Sequence, residues 1–91
     1  MTGLTDAEIL TAAANYIESN GWAQYHFVEG RRACAYAAIH EYARERTLAV
    51  CRKVEKITKL AVVTWNDLPT QTEANVVDVL RQAAAKEGAH A

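Results

Sequence analysis

Apolar residues recur at helical spacing near the start of the chain, behind a recognisable start signal. Thr5 to Glu8 form a capping box, in which the threonine hydroxyl accepts from the backbone N–H of Glu8 and the glutamate carboxylate accepts from that of Thr5. Gly21 follows as a stop signal, because glycine readily adopts the left-handed conformation that ends a helix. We therefore predict a first helix over about 5–20. Its apolar face is formed by Leu10, Ala13, Ala14 and Ile17.

Two further apolar stripes occupy the middle of the chain. The first predicts a helix over 31–46, and the second predicts a helix over 47–60. Thr47 is a candidate N-cap, although no glutamate or glutamine stands three positions later. A break at Thr47 and a kinked continuous helix both stay open, and we favour the break. The stripes are Ala35, Ala38, Ile39 and Tyr42, then Val50, Val54, Ile57 and Ala61.

Two segments are rich in aromatic or β-branched residues and lack helical periodicity. The segment 25–28 lies between two glycines and is compatible both with a short strand and with an irregular loop. Val62 and Val63 also favour extended backbone. We therefore predict a two-stranded ribbon between 25–28 and 61–64. Because an isolated hairpin is only marginally stable, this ribbon would need helices packed against it.

The last helix follows a predicted turn over 66–69. We expect Asn66 and Asp67 to close this turn by hydrogen bonds to nearby backbone. A second capping box at 70–73, or a start at Thr72, then opens a helix that ends at the last glycine. Its apolar face is formed by Val76, Val77, Leu80, Ala83 and Ala84.

These elements define a single small domain over residues 1–91, mainly α, with four helices in a compact arrangement and the ribbon as an α+β addition. Hydrophobic residues are 51% of the chain and charged residues 23%, which is typical of a globular protein. The formal net charge of −1 gives no overall field that would draw the chain to nucleic acid or anionic lipid. The sequence has no apolar run near the ~18 residues of a membrane span, no signal-peptide pattern and only two cysteines. We therefore expect a cytoplasmic protein without a membrane span.

The turn Trp65-Asn66-Asp67 is the first candidate functional site. An indole beside an amide and a carboxylate could contact a ligand or a partner protein. In the alternative, structural interpretation, Trp65 lies buried under the helices while Asn66 and Asp67 bond their own backbone. We favour the structural interpretation, because turn chemistry accounts for both polar residues without a ligand. The three residues remain candidate interaction residues.

A basic stripe in the third predicted helix is the second candidate site. It resembles the phosphate-contacting surface of a DNA-binding module. Glu55 lies inside the stripe and no aromatic residue interleaves it, so a solvated helix face is the favoured interpretation. A small DNA-binding regulator is the alternative function. The stripe consists of Arg52, Lys53, Lys56 and Lys59.

Metal binding and catalysis receive little support from the sequence. No pair of histidines or cysteines stands at a zinc-site interval, and there is no Gly-rich phosphate loop or nucleophile elbow. Cys34, His26 and Asp67 could form a catalytic set, but sequence alone does not place them together. We expect buried cysteines, no cofactor, no metal and no enzymatic activity. The histidines and cysteines are His26, His40, His90, Cys34 and Cys51.

The order of several short motifs resembles a known family. Asn20-Gly21-Trp22 ends the first helix, Arg32-Ala33-Cys34-Ala35 opens a helix of small residues, and Val63-Thr64-Trp65-Asn66-Asp67 precedes the last helix. Over about 5–86 the chain is similar to the small actinobacterial and actinophage proteins grouped as a domain of unknown function, whose hallmark is an alanine–tryptophan–asparagine–aspartate turn. The chain departs from that pattern at Ala37, where a glycine is expected, and in a more basic middle segment.

The resemblance implies no established activity and no catalytic residues. It implies a phage-encoded early protein, and such proteins often bind a host protein and block growth or division. We therefore predict a non-enzymatic interaction protein that binds a host protein in the cytoplasm. Alanine-rich helix faces flanked by Tyr16, Tyr36 and Tyr42 suit contacts with a partner helix, and a homodimer would add burial to a small core.

Overall fold

The computed structural model describes residues 3–88, and its first helix, α1, spans Asp6–Asn20 as the capping signal predicts. Both bonds of the capping box are present, from the Glu8 N–H to Thr5 Oγ1 at 3.1 Å and from the Thr5 N–H to Glu8 Oε1 at 2.9 Å. Gly21 ends the helix with a φ of 103°. The predicted apolar face is confirmed and also includes Ile9. The buried residues are Ile9, Leu10, Ala13, Ala14 and Ile17.

Residues 21–34 form a hairpin loop between the first two helices. Strand β1, Val28–Glu29, pairs in antiparallel register with strand β2, Arg32–Ala33. A short two-stranded sheet is thus present, but the predicted partner at 61–64 is wrong, because Val62–Asn66 is helical. The two strands are joined by only two residues, of which Gly30 has a φ of 63°. Closing so short a loop costs less chain entropy than pairing with a segment more than thirty positions away.

The break between the second and third helices is confirmed. Helix α2 spans Ala35–Ala43, a 3₁₀ turn covers Arg44–Arg46, and helix α3 spans Thr47–Thr58. Thr47 is the first residue of α3 and not its cap, since its hydroxyl donates to the carbonyl of Arg44 at 2.5 Å.

Two predicted helix boundaries in this region are wrong. Helix α2 starts four residues later than predicted, because Arg32 and Ala33 belong to β2 and Cys34 is the N-cap. The thiol of Cys34 accepts from the Ala37 N–H at 3.4 Å. Ala61 is exposed and lies beyond the end of α3, whose C-cap Lys59 adopts the left-handed conformation.

The last two helices flank the predicted turn. Helix α4 spans Val62–Asn66 and helix α5 spans Glu73–Gly88, the last described residue. Thr72 caps the start of α5, since its Oγ1 accepts from the Asn75 N–H at 3.1 Å. The predicted start at Thr72 is therefore confirmed, and the predicted capping box at 70–73 is wrong. Helix α5 packs along α1 and adds Val79 to the predicted face. Its buried residues are Val76, Val77, Val79, Leu80, Ala83 and Ala84.

A single hydrophobic core within 3–88 takes residues from all five helices and from β2. Four helices of nine residues or more surround it, with α4 as a short fifth helix, so the mainly α prediction is confirmed. The indole of Trp65 lies in this core with 5% of its surface exposed, as the structural interpretation predicts. None of the helices in the described part of the chain is long and apolar enough to cross a membrane.

Candidate functional site

Asn66 is the centre of a polar cluster inside the core. Its side chain is fully buried, and its Oδ1 accepts from the indole N–H of Trp22 at 2.7 Å and from the Ala35 N–H at 3.0 Å. Its Nδ2 donates to the carbonyl of Ala23 at 3.1 Å and to Asp67 Oδ1 at 2.9 Å. An amide offers two donors and two lone pairs, and all four are used here. Asn66 therefore fastens α4 to the hairpin loop and to the start of α2.

Asp67 and Gln24 extend this Asn66 cluster toward the surface. Asp67 Oδ1 accepts from the Tyr25 N–H at 2.9 Å, and Gln24 Nε2 donates to the Leu68 carbonyl at 2.7 Å. Tyr25 has a φ of 70°, which a non-glycine residue rarely adopts without support from its surroundings. The Asp67 carboxylate supplies that support.

The expected local closure of the turn by Asn66 and Asp67 is wrong. The bonds of the Asn66 amide reach residues between 31 and 44 positions away, apart from the one to its neighbour. The reason is that the local backbone is already satisfied by helical bonds, such as that from the Asp67 N–H to the Val63 carbonyl at 3.1 Å. The two side chains are thus free to bond distant segments.

The hairpin loop presents apolar side chains around a surface pocket of about 400 Å³. The exposed fractions are 63% for Tyr25, 59% for Phe27 and 60% for Val28. A contiguous patch of exposed apolar side chains often marks a binding surface, because such patches are rare on soluble monomers. We call this feature the aromatic pocket. It is lined by Tyr25, His26, Phe27, Val28, Cys34, Val63 and Asp67.

The fold brings Cys34, His26 and Asp67 to the same pocket, which their spacing in the sequence does not indicate. Burial raises the pKa of the Cys34 thiol, and the nearby Asp67 charge raises this pKa further. Nucleophilic cysteines need the opposite, a positive environment that favours the thiolate. His26 Nε2 lies 3.9 Å from a carboxylate oxygen of Glu29 and makes no hydrogen bond to Cys34 among the described residues. The chemistry of the pocket therefore favours binding over thiol catalysis.

Among the described residues, the other cysteine and the histidines form no second candidate site. Cys51 is buried and free, and burial raises the pKa of its thiol to about 12. His40 Nδ1 lies 2.9 Å from the hydroxyl of Thr47. Within 3–88 no three His, Cys, Asp or Glu side chains are grouped as a metal site would require. His90 lies outside the described residues.

The candidate interaction residues separate into buried and accessible groups. Trp65 and Asn66 lie in the interior and cannot touch a partner directly, whereas Asp67 is half-buried and lines the aromatic pocket. Trp65 and Asn66 could therefore affect binding only indirectly, by positioning the hairpin loop. The turn motif thus holds the pocket in place, and its aspartate alone reaches the pocket.

The basic stripe lies on α3 and at its C-cap, and none of its four residues lines the aromatic pocket. Arg52, Lys56 and Lys59 are exposed, at positions i, i+4 and i+7. Lys53 is half-buried and pairs with Glu87 of α5, with 3.3 Å between the charged atoms. The stripe therefore offers three of its four predicted cations to a partner.

The flanking tyrosines are half-buried against neighbouring elements. The Tyr16 hydroxyl donates to the carbonyl of Arg31 at 3.0 Å. The Tyr36 ring lies 5.7 Å from that of Phe27, measured between centroids, and stacks on His40 at 6.4 Å. Tyr36 therefore packs against Phe27, which lines the aromatic pocket, without lining the pocket itself.

A small helical domain whose buried asparagine fixes an aromatic hairpin loop is the class that this fold and site define. The chain belongs to the family of unknown function DUF6197, whose model matches residues 1–86. The expectation of a family without an established activity is thereby confirmed. No curated protein and no solved structure matches the chain.

Proposed function

We propose that the protein is a non-enzymatic interaction domain that binds another protein through the aromatic pocket. The observation that carries this proposal is the exposure of Tyr25, Phe27 and Val28, each at 59% or more, on a loop that the buried Asn66 cluster holds in place. A binding loop that is already ordered loses less conformational entropy when its partner binds. The same apolar side chains on a mobile loop would bind less tightly.

The partner in this proposal is a host protein. The support is the similarity of the Asn20-Gly21-Trp22 and Trp65-Asn66-Asp67 motifs to small actinobacterial and actinophage proteins. We infer that the protein is a phage-encoded early protein, acts in the host cytoplasm and modulates growth or division. A homodimer through the same surface is the competing use of the aromatic pocket.

Affinity capture from actinobacterial lysates tests this proposal. We expect one dominant partner to be retained by the unmodified protein and lost with Phe27→Ser. Leu48→Ser is the matched control, because Leu48 is 66% exposed on α3 and does not line the pocket. Retention of the partner by Phe27→Ser, or no partner from several hosts, would count against the proposal. Sedimentation equilibrium of the purified protein measures self-association through the same residues.

DNA binding through α3 is the second candidate function. The observation in its favour is that Arg52 and Lys56, four positions apart on α3, and Lys59 at the C-cap of this helix are all exposed. Such binding would weaken as salt rises, by a slope of about 0.9 in log–log units for each phosphate neutralised. Charge reversal at Lys56 and Lys59 should abolish it. Failure to retain duplex DNA at low salt would eliminate this candidate.

A further inference from the structure

The hairpin loop carries an open strand edge beside the aromatic pocket. The Cys34 N–H donates to the Phe27 carbonyl at 2.9 Å, so residues 27 and 34 form a hydrogen-bonded pair of the antiparallel ladder. Hydrogen-bonded and non-hydrogen-bonded pairs alternate along such a ladder. Val28 and Ala33 are therefore a non-hydrogen-bonded pair, whose own N–H and C=O groups point away from each other.

The bonds of Ala33 agree with this alternation. Its N–H donates to the Gly21 carbonyl at 3.2 Å, and its carbonyl accepts from the Ala23 N–H at 3.1 Å, both on the side away from β1. The N–H and C=O of Val28 accordingly point to the opposite, outer edge of the sheet. No strand lies beside that edge in the described part of the chain, where the sheet has two strands. This is one donor and one acceptor at the spacing that an added strand needs.

The pocket next to this edge has a carboxylate among its apolar walls. Asp67 Oδ1 accepts from the Tyr25 N–H and from Asn66 Nδ2, whereas Asp67 Oδ2 accepts no hydrogen bond from residues 3–88. The lining residues include no lysine or arginine. A half-buried carboxylate with a free oxygen favours a cation or a hydrogen-bond donor in the pocket.

A lysine or arginine side chain matches both the apolar walls of this pocket and its carboxylate. Its aliphatic stem can lie along Phe27 and Val63 while its charged end reaches Asp67. The rings of Tyr25 and Phe27 also attract a cation near their faces.

We propose that an extended peptide segment of the partner adds to the β1 edge at Val28 and places a lysine or arginine in the aromatic pocket at Asp67. This inference rests on the proposed function and names the chemistry of the segment that is bound. The backbone bonds at Val28 supply the register, and the carboxylate supplies the preference for a basic residue.

Five synthetic peptides test the inference on the full chain. They share the sequence Thr-Val-X-Val-Thr with blocked ends, where X is Lys, Arg, Leu or Glu. The fifth is the Lys peptide with N-methyl groups on Val, Lys and Val, so that it cannot donate a hydrogen bond to a strand edge in any register. We expect the Lys and Arg peptides to shift the amide resonances of Val28 and Tyr25 in ¹⁵N spectra. We expect at least tenfold weaker binding with Leu, and no measurable binding with Glu or with the methylated backbone.

Two substitutions separate the contributions of the carboxylate and of the strand edge. Asp67→Asn keeps an oxygen for the Tyr25 N–H and should weaken the Lys peptide at least tenfold while leaving the Leu peptide unchanged. Val28→Pro removes the outward N–H and should weaken every peptide, whereas Val28→Thr should not. The amide shift of Val28 in the free Asp67→Asn protein should match that of the unmodified protein, which checks that the loop is intact.

The outcomes distinguish this inference from the proposed function. Equal binding of the Leu and Lys peptides at Val28 would overturn the preference for a basic residue and leave the binding surface standing. If no peptide shifts Val28 while Phe27→Ser still loses the captured partner, strand addition is wrong and the interaction surface stands. If Phe27→Ser also retains the partner, both fail.

Discussion

The indole N–H of Trp22 donates to the buried side-chain oxygen of Asn66 at 2.7 Å across 44 positions of sequence. This bond joins the loop after α1 to the end of α4, and the Ala35 N–H donates to the same oxygen. The start of the hairpin loop and the start of α2 are thus tied to a single amide. The stability of the loop, and the position of the aromatic pocket, depend on that amide.

Asn66→Ala should destabilise the protein more than any surface substitution. It leaves the Trp22 indole N–H, the Ala35 N–H and the Ala23 carbonyl without their partner. Each buried group left unsatisfied costs about 1–3 kcal/mol. A domain of this size has only about 5 kcal/mol to lose, so we expect a largely unfolded protein at 25 °C by circular dichroism and urea titration.

The control for this substitution is Asn75→Ala in the first turn of α5, where the side chain is exposed. It should change the free energy of unfolding by less than about 0.5 kcal/mol. If Asn66→Ala unfolded cooperatively in urea, with a free energy of unfolding within about 1 kcal/mol of that of the unmodified protein, the buried amide would contribute little to stability.

Trp22→Phe should be tolerated and should report on Trp65. Asn66 Oδ1 keeps its bond from the Ala35 N–H, so we expect a loss of about 1 kcal/mol in the free energy of unfolding. The single remaining indole is 5% exposed and should emit at short wavelength and resist quenching by acrylamide. Emission like that of tryptophan in water, in a protein that still melts cooperatively, would contradict the burial of Trp65.

The difference between Asn66 and Thr5 shows what the sequence could predict. The cap at Thr5 uses residues three positions apart, so the bonds are encoded locally and α1 was predictable to within a residue. The partners of Asn66 are 31 to 44 positions away, and spacing along the chain carries no information about them. The aromatic pocket depends on those distant bonds. Its residues could therefore be singled out from the sequence, but their grouping in one pocket could not be predicted.

Val62 and Val63 show a second reason for failure. Their β-branched side chains favour strands, but the preference is weak and depends on context. In the structure Val62 is buried in the core at 2% exposure and its N–H donates to Glu55 Oε2 at 3.3 Å, at the start of α4. Packing of one turn of helix against the core therefore outweighs the local preference.

Lys59→Gly should stabilise the protein. Lys59 is the C-cap of α3 with a φ of 65°, a left-handed conformation that costs a non-glycine residue about 1–2 kcal/mol. Glycine removes this strain but loses more entropy on folding, so we expect a net gain of about 0.5–1 kcal/mol by urea titration. The same variant removes one cation of the basic stripe and should weaken any DNA binding.

Ala49→Gly gives the matched control, because Ala49 is exposed inside α3 where the backbone is helical. There glycine relieves no strain, and a loss of about 1 kcal/mol is expected. Destabilisation by both substitutions would mean that Lys59 is not strained in solution.

The buried thiol of Cys51 should make the protein less stable at alkaline pH. Its pKa is raised by burial from a usual value of 9.0 to about 12. Below pH 9 the thiol is protonated in the folded and unfolded chains, so it contributes no pH dependence. Between pH 9 and about 12 the unfolded chain releases a proton that the folded chain retains. The free energy of unfolding must therefore fall as pH rises, by up to about 1.4 kcal/mol per pH unit.

Cys51→Ala isolates this contribution from the lysines and tyrosines that titrate in the same range. The variant should lose some stability at pH 7 because a small cavity replaces the sulfur, but its urea midpoint should decline less steeply between pH 9 and pH 11 than that of the unmodified protein. Tyr42, whose pKa is also raised by burial, remains in both proteins and cancels in the comparison. Parallel declines would mean that the Cys51 thiol titrates normally in the folded chain, and hence that water reaches the interface of α3 with the rest of the core.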